Sequence, residues 1–439
     1  MMDKRWWNRI IQRAAVALTV LVAAATVSGG SQPAAASHED WPTTGVICTT
    51  DPTATFSLTT MEGHITLPDG NSVHMWGFSE SGQPFQHPSP VLCVNEGDTV
   101  TVVLHNTLSE PVSIVFPGQE NVLANGRPAQ PQFDDGGDLV SLTDAAPAGG
   151  TVTYSFVADR PGTYLYQSGT DPALQVNMGL FGAMIVRPSM GAEYAYDSAS
   201  TKFNPYTEYV MVLSEIDPAL HMAVEQGQPF NMSNYTPRYW LINGRSFPDT
   251  IAPNGATWLP YQPYSSLVHI HPYNDVDVGL PAYNPDPALI RYLSVGSEDY
   301  PHHPHGNHEL VIGRDGNLLA GPLGEDTSYE KFTVIIGPGQ TMDALFQWED
   351  VEKWEPINNP IPVTIPQLQN LTFGTFYSGS PYLGNLDTLP VGTQALNQCG
   401  EYYHIAHNHA LHQITAWGVV LSGHITFSRI DPPLPNECP

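Results

Sequence analysis

The strongest constraint on the fold of this chain is its punctuation: short β-branched runs, each bounded by glycine or proline. Thr99-Val-Thr-Val-Val-Leu104 follows the turn Glu96-Gly97-Asp98, Thr151-Val-Thr-Tyr-Ser-Phe156 follows Gly149-Gly150, and Leu180-Phe-Gly-Ala-Met-Ile-Val186 runs into Arg187-Pro188. Runs of this length suit strands, and the 38 Gly and 41 Pro among 439 residues supply turns while breaking helices. The pattern predicts an all-β chain built of sandwiches. One short helix is expected at Ala219–Gln226, with Asp217 as N-cap and Pro218 at the first helical position.

The chain also repeats itself. Ser113-Ile-Val-Phe-Pro-Gly118 holds in the first half the place of Pro301-His-His-Pro-His-Gly306 in the second, and Pro161-Gly-Thr-Tyr-Leu-Tyr166 echoes Cys399-Gly-Glu-Tyr-Tyr-His404. A Gly-containing turn precedes a strand in each half, at Pro147-Ala-Gly-Gly150 and Gly337-Pro-Gly-Gln340. Two homologous β-sandwich domains are therefore expected, at 40–190 and 206–439, joined by a polar linker at 191–205. The second carries a Pro- and Asn-rich insertion near 348–398.

Residues 1–36 have the three-part layout of a secretory signal: basic Lys4, Arg5, Arg9 and Arg13, an apolar run from Ala14 to Val27, then Ala34-Ala35-Ala36. The run is shorter than the ~20 residues that span a bilayer, and nothing later is long and apolar enough. Cleavage after Ala36 and a secreted or periplasmic location, with no membrane span in the mature protein, are the expectation. Without residues 1–36 the formal charge is −31, from 11 basic and 42 acidic side chains. Such a surface repels phosphate backbones, so nucleic acid is excluded as a partner. All four cysteines lie in the exported part, where two disulfides are expected. Three connectivities exist, and sequence proximity favours Cys48–Cys93 and Cys399–Cys438.

Eight of the 17 histidines fall in two short runs, 302–308 and 404–412. Within them stand His303-Pro304-His305 and His407-Asn408-His409. On a strand, residues i and i+2 share a face, and facing Cβ atoms of paired strands lie about 5 Å apart. Two such pairs on adjacent strands put four imidazoles on one patch. Imidazole is the commonest protein ligand for copper and zinc, so a metal ion is the expected partner. His269-Ile270-His271 is a third strand-like His-x-His and carries less weight. His64, His74, His87 and His105 stand alone and receive no role.

In their order these motifs resemble those of the multicopper oxidases, laccase-like proteins built of cupredoxin (plastocyanin-like) domains, and the resemblance covers nearly the whole exported chain. It implies two cupredoxin-like Greek-key β-sandwiches. It also implies that four motifs once held a type 1 copper and a three-copper cluster, and here the set is depleted. The first-domain motifs read Val115-Phe116-Pro117-Gly118 and Gln167-Ser168-Gly169, without histidine. The third reads Tyr300-Pro301-His302-His303-Pro304-His305-Gly306, with Tyr300 in place of a type 1 histidine. The fourth reads His407-Asn408-His409, with Asn408 where the type 1 Cys belongs and Gln413 where a further histidine belongs. Blue copper needs a thiolate with two imidazoles, and none is supplied.

The resemblance thus implies a degenerate member, exported, that binds copper as one ion through His303, His305, His407 and His409, with zinc as the alternative metal. His302, His308 and His404 stand near enough in sequence to assist. Two other functions remain open: an oxidoreductase with a type 2 copper acting on a small reductant or phenol, and a metal-free structural or interaction scaffold. Val115, Pro117 and Gln167 of the first domain are expected opposite the histidines. Two-domain relatives often assemble as trimers, so homo-oligomerisation is one implied arrangement.

Overall fold

A computed structural model describes residues 44–274, 279–348, 402–431 and 433, together with the backbone of the short strands Pro362–Val363 and Ala395–Leu396. Residues 1–36, most of the 348–398 insertion, Cys399 and Cys438 lie outside the described residues.

The strands up to Arg187 form two principal sheets. A six-stranded sheet contains Ser72–Glu80, Thr55–Thr66, Thr99–His105 and Thr151–Val157, and a four-stranded sheet contains Cys48–Thr49, Val91–Asn95, Phe181–Arg187 and Gly162–Gln167. Period-two alternation sets the core. In Thr99–His105 the residues Val100, Val102 and Leu104 are buried and meet Val152, Tyr154 and Phe156 of the antiparallel partner. Leu92, Val94, Tyr164, Tyr166, Met184 and Val186 close this core from the other sheet. Cys48 and Cys93 form the expected disulfide across the parallel pair Cys48–Thr49 and Val91–Asn95. The expected helix forms at Pro218–Glu225, with the Asp217 carboxylate accepting from the Ala219 N–H at 2.9 Å.

The strands from Glu208 onward repeat the plan. A seven-stranded sheet includes Tyr239–Ile242, Glu208–Ile216, Ala288–Ser294, Thr341–Phe346 and Glu309–Arg314. A five-stranded sheet runs Val268–Ile270, Ile425–Ile430, Tyr402–Asn408, Tyr300–Pro304, Val334–Ile336. Their facing sides share a core of Met211, Leu213, Ile290, Tyr292, Tyr300, Val311, Ile336 and Phe346.

The two halves meet sheet on sheet. Val91, Leu165, Phe181, Ala183 and Ile185 of the four-stranded sheet pack against Val210, Val212 and Leu293 of the seven-stranded sheet and against Val295 just beyond it. Both of these sheets are thus buried on both faces, which is why Val91–Asn95 and Glu208–Ile216 are nearly continuously buried. The segment between the halves also packs: Ala195, Tyr196 and Phe203 are buried against Leu289, Ile312 and Leu345. A charged cluster spans the same junction. Glu208 receives Arg187 at 2.7 Å and the fully buried Arg291 at 2.6 Å, while Arg291 also donates to Thr163 Oγ1 at 2.8 Å.

Candidate metal centre

The five-stranded sheet carries the two histidine motifs on adjacent strands. Tyr300–Pro304 and Tyr402–Asn408 are antiparallel, with His303 opposite His407 and His302 opposite Asn408. Alternation then sorts the side chains. Tyr300, His302 and Pro304 are buried toward the core, whereas His303 and His305 face outward; likewise His404, Ala406 and Asn408 are buried and His407 is half-buried. His302 and His404 therefore point to the opposite face from the outward imidazoles, and His308 stands exposed, 3.9 Å from Glu330.

Four imidazoles gather on the outer face. Ring centroids are 4.6 Å apart for His303 and His305, 5.2 Å for His305 and His407, 5.2 Å for His303 and His409, and 5.6 Å for His407 and His409. Closest of all are His305 Nε2 and His407 Nε2, 3.1 Å apart. Two nitrogens bound to one ion at about 2.0–2.1 Å lie roughly 2.9–3.4 Å apart for angles between square and tetrahedral. The pair thus already has chelating separation. Outer partners set the tautomers: His407 Nδ1 faces the Asn408 carbonyl at 2.8 Å, and His303 Nδ1 faces the Phe332 carbonyl and Thr333 Oγ1. When those Nδ1 atoms donate, each Nε2 is left with a lone pair for a metal. Burial first, and then the neighbouring imidazoles, push His305 down to about 4 and lower His407, so both are neutral at pH 7.

The patch does not face the first half of the chain, contrary to expectation. The seven-stranded sheet occupies the junction, so the five-stranded sheet is the outer layer and its histidines look away from Val115, Pro117 and Gln167. The cleft beside them, about 320 Å³, is lined among the described residues by His303–His308 and Phe332. Which sheet of a sandwich lies outward is decided by packing between halves, and no local motif encodes it.

The positions assigned to the type 1 copper do come together, as a hydrogen-bonded plug. The Asn408 amide donates to Gln413 Oε1 at 2.8 Å, and the Gln413 amide donates to Glu298 Oε2 at 2.9 Å and to the Asp299 carbonyl at 3.0 Å. The Tyr300 hydroxyl donates to Glu215, a carboxyl that burial pushes up to about 8. Glu298 also receives the Trp240 indole N–H at 2.7 Å. Amides and acids here partner one another through most of their polar atoms, though the buried Asn408 Oδ1 accepts no hydrogen bond among the described residues.

Sequence reasoning missed one cluster in part. His269 and His271 converge with Asp431, and the ligand atoms of these three buried residues all lie within 4.8 Å of one another; among the described residues no other group of three acidic, histidine or cysteine side chains closes so tightly. The four outward imidazoles are thus a looser set. His269-Ile270-His271 was visible as a motif, but Asp431 is 160 residues further on and joins it only through the parallel pairing of Val268–Ile270 with Ile425–Ile430.

Comparison with known proteins adds the lineage. Residues 60–191 match the family described as multicopper oxidase. L-ascorbate oxidase of Cucumis sativus is 30% identical over 275 residues, covering 58% of this chain and 41% of that protein. The copper-containing nitrite reductase of Neisseria meningitidis is 28% identical over 191 residues, 43% of this chain and 42% of the enzyme. The chain thus spans less than half the length of each of these relatives. Among solved structures, the multicopper oxidase mgLAC superposes with a TM-score of 0.54 at 22% identity, covering 87% of each chain. The blue copper oxidase of Nitrosomonas europaea gives 0.54 at 19%, over 86% and 85%. A likeness at such identity is one of fold, that of cupredoxin sandwiches. Residues 60–191 thus match the multicopper oxidase family, and the chain as a whole is similar to these proteins in fold.

Proposed function

We propose that this protein is an exported copper-binding member of the multicopper oxidase lineage, in two sandwich domains at about 40–190 and 206–439. It holds one copper ion on the outer face of the second, through His305 and His407, with His303 and His409 completing the set. The observation that carries the reading is the 3.1 Å separation of His305 Nε2 and His407 Nε2 between neutral imidazoles. Neutral nitrogen donors suit Cu(II) better than hard, oxygen-seeking cations. Relatives named for copper, including copper resistance protein A of Escherichia coli at 32% identity over 128 residues, support that metal. Bound there, copper would supply an imidazole-ligated Lewis-acidic and redox-active centre. The hydrogen-bonded Asn408, Gln413 and Tyr300 argue against a thiolate relay feeding it with electrons. The function that follows is copper handling outside the cytoplasm.

The open cleft beside the histidines also suits a covering surface, and the family resemblance suggests a second copy of the chain. Sedimentation of the copper-loaded protein as a monomer at micromolar concentration removes that copy from the proposal.

Copper titration followed by electron paramagnetic resonance tests the metal assignment. The unmodified protein should bind one Cu(II) with several nitrogen ligands. His305→Ala and His407→Ala should each remove a nitrogen and weaken binding at least about 10–100-fold, the loss typical of an outer partner alone. His105→Ala, outside the patch, should bind as the unmodified protein does. Equal affinity in all four proteins would leave the scaffold reading standing. Oxidation of a phenol under air would favour the oxidoreductase instead.

A further inference from the structure

We infer a second, buried metal site formed by His269, His271 and Asp431, distinct from the outward histidines and built to hold a divalent cation of the zinc type as a structural clip. His269 Nε2 lies 2.9 Å and His271 Nδ1 lies 2.8 Å from the same carboxylate oxygen, Asp431 Oδ2, and the two rings are 4.4 Å apart. Each nitrogen stands from the shared oxygen as adjacent ligands of a coordination shell do, since ligands at about 2.0–2.2 Å sit roughly 2.8–3.4 Å apart, and all three ligand atoms lie within 4.8 Å of one another.

Each donor is held from behind, as metal ligands are. Arg429 Nε binds the other carboxylate oxygen, Oδ1, at 2.8 Å, which leaves Oδ2 to the imidazoles. Tyr283 stacks on His271 with centroids 4.6 Å apart, and its hydroxyl stands 3.5 Å from Oδ2. The backbone of His269 is fixed on both sides by the Tyr209 hydroxyl, which receives its N–H at 2.8 Å and donates to its carbonyl.

The place in the fold gives the site its purpose. Val268–Ile270 is a three-residue edge strand, paired in parallel with only the end of Ile425–Ile430. So short an edge strand is weakly held. The two histidines flank Ile270, and Asp431 directly follows the partner strand, with the Asp431 N–H bonded to the Ile270 carbonyl at 3.0 Å. A cation here ties the two strand ends together. All three residues are buried, so the site is closed, as structural sites are.

The test uses the mature protein stripped by chelator and then titrated with Zn2+ against a chromophoric competitor. The outward patch is first silenced as His305→Ala/His407→Ala. That variant should retain one tight Zn2+ and gain melting temperature on loading. Asp431→Asn, which keeps the size and the Arg429 side of the cage, should lower affinity at least about 100-fold in the same background, and so should His271→Gln. Zinc X-ray absorption on the silenced protein needs no change at the cage and should report two imidazoles with oxygen. No tight Zn2+ in the silenced protein, an oxygen-only shell, or affinity within threefold in Asp431→Asn would each overturn the site and leave a hydrogen-bonded cage.

Discussion

Loss of the Arg291 side chain should cost this protein several kcal/mol. Its guanidinium is fully buried at the junction of the halves, 2.6 Å from Glu208, 2.8 Å from Thr163 Oγ1 and 3.5 Å from Asp343. Replacing it by Met keeps most of the volume but strands two buried carboxylates. Asp343 retains the Thr163 and Tyr196 hydroxyls at 2.6 and 2.5 Å, and Glu208 retains Arg187 at 2.7 Å. Removing one partner of a buried ion pair costs about 3–5 kcal/mol, because the remaining charge stays desolvated. Arg187→Met, by contrast, removes a partly exposed group and leaves Arg291 on Glu208, so about 1–2 kcal/mol is expected.

The pH dependence separates this account from simple loss of packing. Burial alone raises the Glu208 carboxyl, but Arg291 and then Arg187 outweigh it and hold Glu208 below its usual range. A depressed carboxylate contributes stability that is present above its unfolded value and lost as pH falls through the folded one. In Arg291→Met, burial should prevail and raise Glu208, so acid between pH 8 and pH 5 relieves the variant, while the parent keeps its Glu208 contribution until the pH falls below about 4.5. The stability gap should therefore be widest near pH 8 and narrow toward pH 5. Urea unfolding of both proteins at several pH values measures it. A gap below about 1 kcal/mol, or one that does not change between pH 8 and pH 5, would refute the reasoning.

Two further outcomes follow from buried groups. Burial holds His87 and His302 near about 3 and His221 near about 4, so these stay neutral in the fold but gain protons on unfolding below about 6.5. Each removes up to about 1.4 kcal/mol per pH unit below that value, while Glu215 at about 8 and Glu309 at about 7, both raised by burial, oppose with the same slope. Three against two, with His305 and His424 also held low by burial and so on the side of the three, predict a metal-free protein that melts lower at pH 5 than at pH 7; equal or higher melting at pH 5 contradicts this. Copper-loaded protein should lack an intense thiolate-to-copper band, and Asn408→Cys alone should not create one, because Tyr300 and Gln413 offer no imidazole. A strong blue colour in the unmodified protein removes the argument from the plugged site.

The legible part of the sequence was local. Alternation in Thr99–His105, the Gly and Pro turns, the Asp217 cap and the His-x-His spacing each act within a few residues, and strand geometry converts them directly into faces. Hence the all-β sandwiches and the shared face within each His-x-His followed from the chain alone, whereas the Cys48–Cys93 pairing was one of three connectivities and the gathering of His303, His305, His407 and His409 required the two strands to be neighbours. Three things did not. The direction of the histidine patch depends on which sheet the first half covers, a choice made by Val91, Leu165 and Phe181 against Val210 and Leu293. The plug of Asn408, Gln413, Glu298, Tyr300 and Glu215 needs residues about 200 positions apart to share one buried volume. Asp431 meets His269 and His271 only because a short edge strand pairs in parallel with the last strand of the sheet. Local pattern sets which face a side chain takes; only long-range pairing sets what it meets there.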